Sequence, residues 1–370
     1  MSGGARSGGT KSRVQSIAAF GVAGGLAAAW AAQHRVVRKA LDAARQGEAD
    51  EGLVMPDDLV HHDIETEDGG TIHVVERGRG PVLVLLHGML LSSETWVHQL
   101  TDLTEEHRVL AVDLRGHGRS VPGSDGFRAP DGRTDVVQMA GARAEAGARP
   151  GAGAGAPAIA RMASDVRRVL EALDVRQSVL VGHSMGGMVA MQLVCDMPED
   201  ERRRRISGLV LASTSAGPFV SVPGLTGVAR LSAPLSSRLV LLADRAGART
   251  LSAADLRWWV TRLGFGPEPV AAQVQFVARQ HMSTPRGTLG RLLPSLAVFD
   301  LSARLDAIDL PVLVVVGSRD RLTGLRHARR MAHTLPQAQL VELPRCGHMP
   351  MLERPREFSH LLAEFSAKLA

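Results

Sequence analysis

The chain has 370 residues, 45% of them apolar and 22% charged, the balance of a globular protein with room for a full core and a smaller second lobe. It contains no Tyr and only two Cys, which excludes a tyrosyl hydroxyl from any mechanism and excludes a disulfide scaffold or a thiolate metal cluster. The formal charge is +5, but the basic residues are not gathered with aromatic readers as a nucleic-acid surface requires, so no nucleic-acid partner is expected.

Residues 1–57 read as a tail ahead of the fold. The first 16 are Gly/Ser-rich, with Arg6, Lys11 and Arg13, and the uncharged stretch 17–32 follows. It falls short of the roughly 18–20 strongly apolar residues of a firm membrane span. Membrane association through residues 17–32, a signal peptide cut near Ala29-Trp30-Ala31 and a plain helix all stay open, and with them a membrane-bound, secreted or cytoplasmic location. Basic residues on both sides leave orientation undecided.

Two strands are predicted within 57–76, joined by the turn Asp68-Gly69-Gly70. The run Val82–Leu86 is apolar throughout, as a central strand covered on both faces should be. Comparable runs are Val109–Val112, Val179–Val181, Leu209–Ala212 and Val312–Val316, with a weaker one at Leu340–Leu343. Helical patterns at Ile159–Leu173 and Met185–Cys195 lie between them. This alternation predicts an α/β fold: a mostly parallel central sheet with helices on both faces, built from 58–215 and 301–370.

Two segments interrupt that pattern. Residues 121–158 hold a low-complexity Gly/Ala/Pro/Arg tract with little to bury, read as a mobile loop insertion. Residues 216–300 are mostly helical in pattern, carry Trp258, Trp259, Phe265 and Phe276, and are predicted to form a helical cap over the C-terminal edge of the sheet. The charge run Glu201–Arg205 is read as a solvated connection.

The chemistry is expected where strands end. Gly182-His183-Ser184-Met185-Gly186 follows an apolar strand and opens an apolar helix. A tight strand-to-helix turn leaves room only for small flanking residues and lifts the Ser184 hydroxyl clear of the backbone. Glycine supplies 39 of the 370 residues, so the spacing alone says little; its position between strand and helix gives it meaning. The new helix aims unpaired N–H groups, including that of Met185, at the same place. His87-Gly88-Met89 follows the Val82–Leu86 strand, and Gly88 is expected to let the backbone turn and expose the Met89 N–H. Met89 and Met185 would then form a two-donor oxyanion hole, with His87 a structural hydrogen-bonder. Asp320 lies just past the Val312–Val316 strand, where a carboxylate can fix an imidazole tautomer. His348, preceded by Gly347, follows the last strand on a loop free to bring a base to Ser184. Leu90 and His183, beside these groups, are read as substrate-pocket residues. Cys195 is read as a small buried residue, and Cys346, two residues before His348, as a thiol whose oxidation or alkylation would affect activity.

Gly182–Gly186, His87-Gly88, Asp113–Ser120, Gly317–Asp320 and Gly347-His348 together resemble the signature set of capped α/β-hydrolases over roughly residues 58–370. The resemblance implies the same nucleophile, base, acid and oxyanion assignments, and a structural role for the Asp113–Ser120 loop. Branches that attack sp³ carbon, such as epoxide hydrolases and haloalkane dehalogenases, place Asp at the nucleophile position. Ser184 instead suits attack on a carbonyl. The first expectation is therefore a serine hydrolase acting on a small-molecule acyl substrate, an ester or thioester, without metal or organic cofactor. Carbon–carbon bond cleavage, acyl transfer and a non-catalytic ligand receptor stay open as alternatives. The tract after Ser120 is longer than the family usually carries, and residues 1–57 have no counterpart in the minimal fold. Nothing in the sequence fixes the oligomeric state.

Overall fold

The computed structural model describes residues 53–128, 157–217, 261–285 and 287–369. The apolar stretch 17–32, most of the low-complexity tract and the Trp258-Trp259 part of the expected cap lie outside the described residues.

Among the described residues, eight strands form one sheet: β1 (Val60–Glu65), β2 (Thr71–Arg77), β3 (Val82–Leu86), β4 (Arg108–Val112), β5 (Ser178–His183), β6 (Ile206–Ala212), β7 (Val312–Gly317) and β8 (Ala338–Leu343). Their order is β1-β2-β4-β3-β5-β6-β7-β8. β2 runs antiparallel to both β1 and β4, and the pairs from β4 to β8 are all parallel. The helices are α1 (Val97–Asp102), α2 (Pro157–Ala172), α3 (Met185–Asp196), α4 (Glu199–Arg205), α5 (Ala271–Ser283), α6 (Thr288–Val298), α7 (Leu325–Thr334), the single turn α8 (Pro350–Glu353) and α9 (Pro355–Ala367).

The two-residue period of a strand explains the layers. Along β3, Val84 and Leu86 face one apolar cluster, Leu83 and Leu85 the other; along β7, Val312, Val314 and Val316 alternate with Leu313 and Val315 in the same way. The first cluster is closed by α2, α3, α6 and α7. The second is closed by α1, α5 and α9, where Trp96 and Phe358 stack with ring centroids 6.3 Å apart. With both faces covered, central strands need apolar residues at every position, which is why these runs are legible in the sequence. Two helices of the expected cap, α5 and α6, thus pack into opposite apolar clusters.

The Glu201–Arg205 run that connects α3 to β6 is helical. It belongs to α4, whose acidic first turn and basic last turn match the helix dipole. Arg203 pairs with Glu199, Arg204 with Asp200 and Arg205 with Glu201, each four residues apart.

One buried ion cluster locks the edge of the fold. The Arg115 guanidinium, fully buried, grips Asp165 of α2 through Nε (2.7 Å) and Nη2 (2.8 Å), and Asp68 of the β1–β2 turn through Nη1 (2.7 Å) and Nη2 (3.0 Å). The Arg115 contact and a hydrogen bond from Thr66 hold the Asp68 carboxyl well below the usual carboxylate range, against the opposing effect of burial. Arg115→Met is expected to cost about 3–5 kcal/mol, because it leaves two buried carboxylates without their cation. Urea denaturation checks this; a midpoint equal to wild type would contradict it.

Candidate functional site

Ser184 occupies the β5-to-α3 junction at φ +50° and ψ −115°. A non-glycine residue held there stores on the order of 1–3 kcal/mol of strain. Bonds on both sides hold it. The Ser184 N–H donates to the Ala212 carbonyl (3.0 Å), and the Ser184 carbonyl accepts from the Gly187 N–H (3.0 Å) and the Thr214 hydroxyl (2.6 Å). A Cβ at Gly182 would lie 2.5 Å from the Gly187 Cα, and one at Gly186 would run into the Leu86 carbonyl oxygen. Both glycines answer to crowding between the ends of β3 and β5 and the first turn of α3. Met185 is the first residue of α3, so its N–H has no acceptor within the helix.

The loop after β3 reaches the same edge by a different route from the one expected. The left-handed position is Leu90, at φ +61°, not Gly88. Gly88 is small because His183 lies against it: a Cβ there would sit 2.8 Å from the His183 Nδ1. Met89 is partly buried against the core cluster that includes Met185 and Met188. His87 has its Nδ1 2.7 Å from the Gly88 carbonyl and accepts the Leu114 N–H at Nε2 (2.9 Å), which ties the loop to the end of β4. Burial pushes its imidazole down to about 4, so it is neutral and structural at pH 7. The Asp113 carboxylate accepts the N–H of Ser93 (2.6 Å) and of Arg119 (2.8 Å), which makes the Asp113–Ser120 turn a brace for this loop.

Asp320 and His348 meet at the C-terminal ends of β7 and β8. The His348 Nδ1 lies 3.0 Å from the Asp320 Oδ2. The carboxylate only accepts, so Nδ1 carries a proton, and the neutral ring is then the tautomer whose Nε2 can accept. Asp320 is further filled by the N–H of Leu322 (2.8 Å) and of Thr323 (3.0 Å) on Oδ1, and by the Thr323 hydroxyl (3.0 Å) on Oδ2. Burial opposes ionisation of Asp320, but the pairing with His348 and these hydrogen bonds hold its carboxyl well below the usual range. A carboxylate so placed can orient an imidazole and stabilise its charged form.

His183 corrects an expectation. It is 1% exposed, and its Nε2–H donates to the His348 carbonyl (2.8 Å), with the two rings 4.9 Å apart. It stands behind the His348 loop rather than lining open space. Burial, together with the nearby His348, pushes its pKa to about 3, so it is neutral with Nδ1 bare. Cys346 is also buried, and burial drives its thiol far above the normal range; the expected sensitivity to thiol reagents does not fit a group so enclosed. Cys195 is only partly buried, and desolvation raises its thiol to about 11.

A family model described as the alpha/beta hydrolase fold matches residues 81–355. The chain belongs to the α/β-hydrolase family. Among its relatives is the pimeloyl-[acyl-carrier protein] methyl ester esterase of Nitrosomonas europaea, 30% identical over 78% of this chain and 96% of the relative. The AB hydrolase superfamily protein YisY of Bacillus subtilis is 26% identical over 82% of this chain and 98% of its own length. An esterase from Exiguobacterium antarcticum superposes with a TM-score of 0.64 at 20% identity, covering 83% of this chain and all of that one, a likeness of fold.

Within this α/β-hydrolase, two residues that sequence reasoning passed over hold the site together. Thr323, 1% exposed, donates its hydroxyl to Asp320 and lies 3.3 Å from the His348 Nδ1. Gln280 of α5 accepts the Ser92 N–H (2.9 Å), the Ser92 hydroxyl (3.2 Å) and the Thr95 hydroxyl (2.9 Å) on one oxygen, while Thr284 donates to the Leu90 carbonyl (3.2 Å). Together they fasten α5 to the loop that carries Met89. A lone Thr in a turn and a lone Gln in a helical pattern give no sequence signal for such roles. No helix among the described residues is long and apolar enough to cross a membrane.

Proposed function

We propose that the protein is a serine hydrolase that cleaves a carboxylic ester or thioester through an acyl-enzyme. Ser184 is the nucleophile, His348 the general base, Asp320 the acid that sets the His348 tautomer, and the N–H groups of Met89 and Met185 the oxyanion donors. The observation that carries this reading is the buried His348–Asp320 hydrogen bond, which turns Nδ1 to the carboxylate at the sheet edge where Ser184 is held in a strained elbow. The methyl ester esterase named above is consistent with an ester as the bond cleaved.

The cycle follows from these roles. His348 Nε2 takes the Ser184 proton as Oγ attacks the carbonyl carbon, and the tetrahedral oxyanion is held by two backbone N–H groups. The proton then passes from Nε2 to the leaving alkoxide or thiolate. Water repeats the attack on the acyl-Ser184 ester, again giving its proton to His348, and the carboxylic acid leaves. The 216–300 segment and Leu90 select the acyl group in this reading, the small-molecule substrate being taken up beneath the helices of the cap.

A panel of p-nitrophenyl esters from acetate to palmitate, with a methyl ester and an acyl thioester, tests it. Saturable hydrolysis of at least one acyl length is expected. A folded protein that reacts with a fluorophosphonate yet hydrolyses nothing in the panel would overturn ester hydrolysis and favour carbon–carbon cleavage, acyl transfer or a receptor role.

A further inference from the structure

His348 is preceded by a glycine and stands on a loop, an arrangement with much freedom to lose. The main chain around it is nevertheless fully engaged. Its own N–H donates to the Gly264 carbonyl at 2.6 Å, and its carbonyl accepts from His183. The N–H groups of both its neighbours go to a single side chain, Glu353, at the end of α8. Gly347 N–H reaches both carboxylate oxygens at 3.0 Å, and Met349 N–H reaches Oε1 at 3.1 Å. The same carboxylate accepts the Gly266 N–H at 2.7 Å, from the segment that leads into α5.

We infer that Glu353 is a positioning residue for the catalytic base: one carboxylate gathers three backbone N–H groups, from both sides of His348 and from the cap segment, and so fixes where the imidazole stands. This rests on the reading of His348 as the base. Two physical reasons favour a carboxylate here. It accepts only, so it can take several donors without presenting a competing N–H. Hydrogen bonds to an ionised acceptor are about twice as strong as neutral ones, which suits a loop with no regular ladder of its own. The local packing agrees. A Cβ on Gly347 would run into Gly266 and Phe265, so the base loop and the cap segment are already in backbone contact where Glu353 joins them. In Glu353→Ala those three N–H groups lose their acceptor, and the loop is free to shift by the ångström that costs on the order of 10²-fold in rate.

The test measures turnover per active site and local exchange in the full-length protein. Fluorophosphonate titration counts folded, reactive sites, and the ester that the wild type hydrolyses best is the substrate. E353A is expected to lower kcat per titrated site about 10²-fold with KM unchanged. E353Q keeps one acceptor oxygen and should fall between E353A and wild type. E353D, one methylene shorter, is expected to behave like E353A, and it stands in for E353A should alanine abolish folding. Amide hydrogen exchange should accelerate in peptides covering 264–267 and 346–350 and stay unchanged in β3 and β5. A purely structural residue would lower the titrated fraction and leave kcat per site alone. Wild-type kcat per site in E353Q and E353A or E353D, or unaltered exchange at 346–350, would overturn the inference. A His348→Ala control separates the two claims: wild-type turnover in that variant removes His348 as base, while the exchange arm still decides whether Glu353 holds the loop.

Discussion

Ser184→Ala is expected to lower kcat for a p-nitrophenyl ester by roughly 10⁵- to 10⁶-fold, the loss seen when a nucleophile that acts as a unit with its base is removed. The fold should survive. The bonds that hold the elbow come from the Ser184 backbone and from Thr214, not from the Ser184 hydroxyl, and alanine keeps the Cβ that already sits at φ +50°. The thermal midpoint should therefore stay within a few degrees of wild type. Steady-state kinetics with a denaturation scan on the same preparation checks both halves. Turnover near wild type would take Ser184 out of the mechanism, and a collapsed midpoint would mean that the hydroxyl supports the elbow in a way the geometry does not account for.

Asp320→Asn should have the next largest effect, a fall of about 10⁴-fold in kcat. The reason lies in the four donors around the carboxylate. The asparagine oxygen can keep the Leu322 and Thr323 N–H bonds on the Oδ1 side. Its NH₂ then replaces Oδ2 and faces the Thr323 hydroxyl and the His348 Nδ1. An amide NH₂ pointing at Nδ1 selects the imidazole tautomer with the proton on Nε2, the nitrogen that must accept from Ser184. The variant is thus expected to bind substrate normally and turn it over slowly. The stability effect has a defined sign. The folded-state pKa of Asp320 lies below its unfolded value, so its contribution is present above the unfolded carboxylate range and is lost as pH falls through the folded value. The gap in stability between wild type and Asp320→Asn should be full at pH 7 and close in acid. An unchanged kcat, or a stability gap that widens in acid, would contradict this account.

The parts of the fold that sequence shows best are those with the fewest physical alternatives. Val82–Leu86 and Val312–Val316 are apolar at every position because each buries both faces, and no surface segment has reason to be so. The Asp68-Gly69-Gly70 turn is legible because Gly69 sits at φ +74°, where other residues are disfavoured. Ser184 and Asp320 stand out because each closely follows such a strand; His348 comes after the half-exposed edge strand β8 and is marked instead by its place in the order the fold imposes. What escaped has physical causes too. The turn after β3 is made at Leu90, a residue with no turn preference, because the Gly88 position is taken up by packing against His183. His183 reads as a pocket residue from its place beside Ser184, yet it points into the protein toward the His348 carbonyl. The helical form of Glu201–Arg205 went unseen because a seven-residue charged helix has no apolar stripe to show. Glu353 and Gln280 act on backbone groups brought close only by tertiary folding, so no local pattern marks them.

The most direct measurement is the site of covalent capture. The protein is treated with a fluorophosphonate at neutral pH, digested, and the modified residue located by tandem mass spectrometry, for wild type and His348→Ala side by side. A serine made nucleophilic by a neighbouring base predicts one adduct, on Ser184, formed quickly in wild type and at least about 10²-fold more slowly without the imidazole. Modification at another residue, or equal rates in the two proteins, would contradict it.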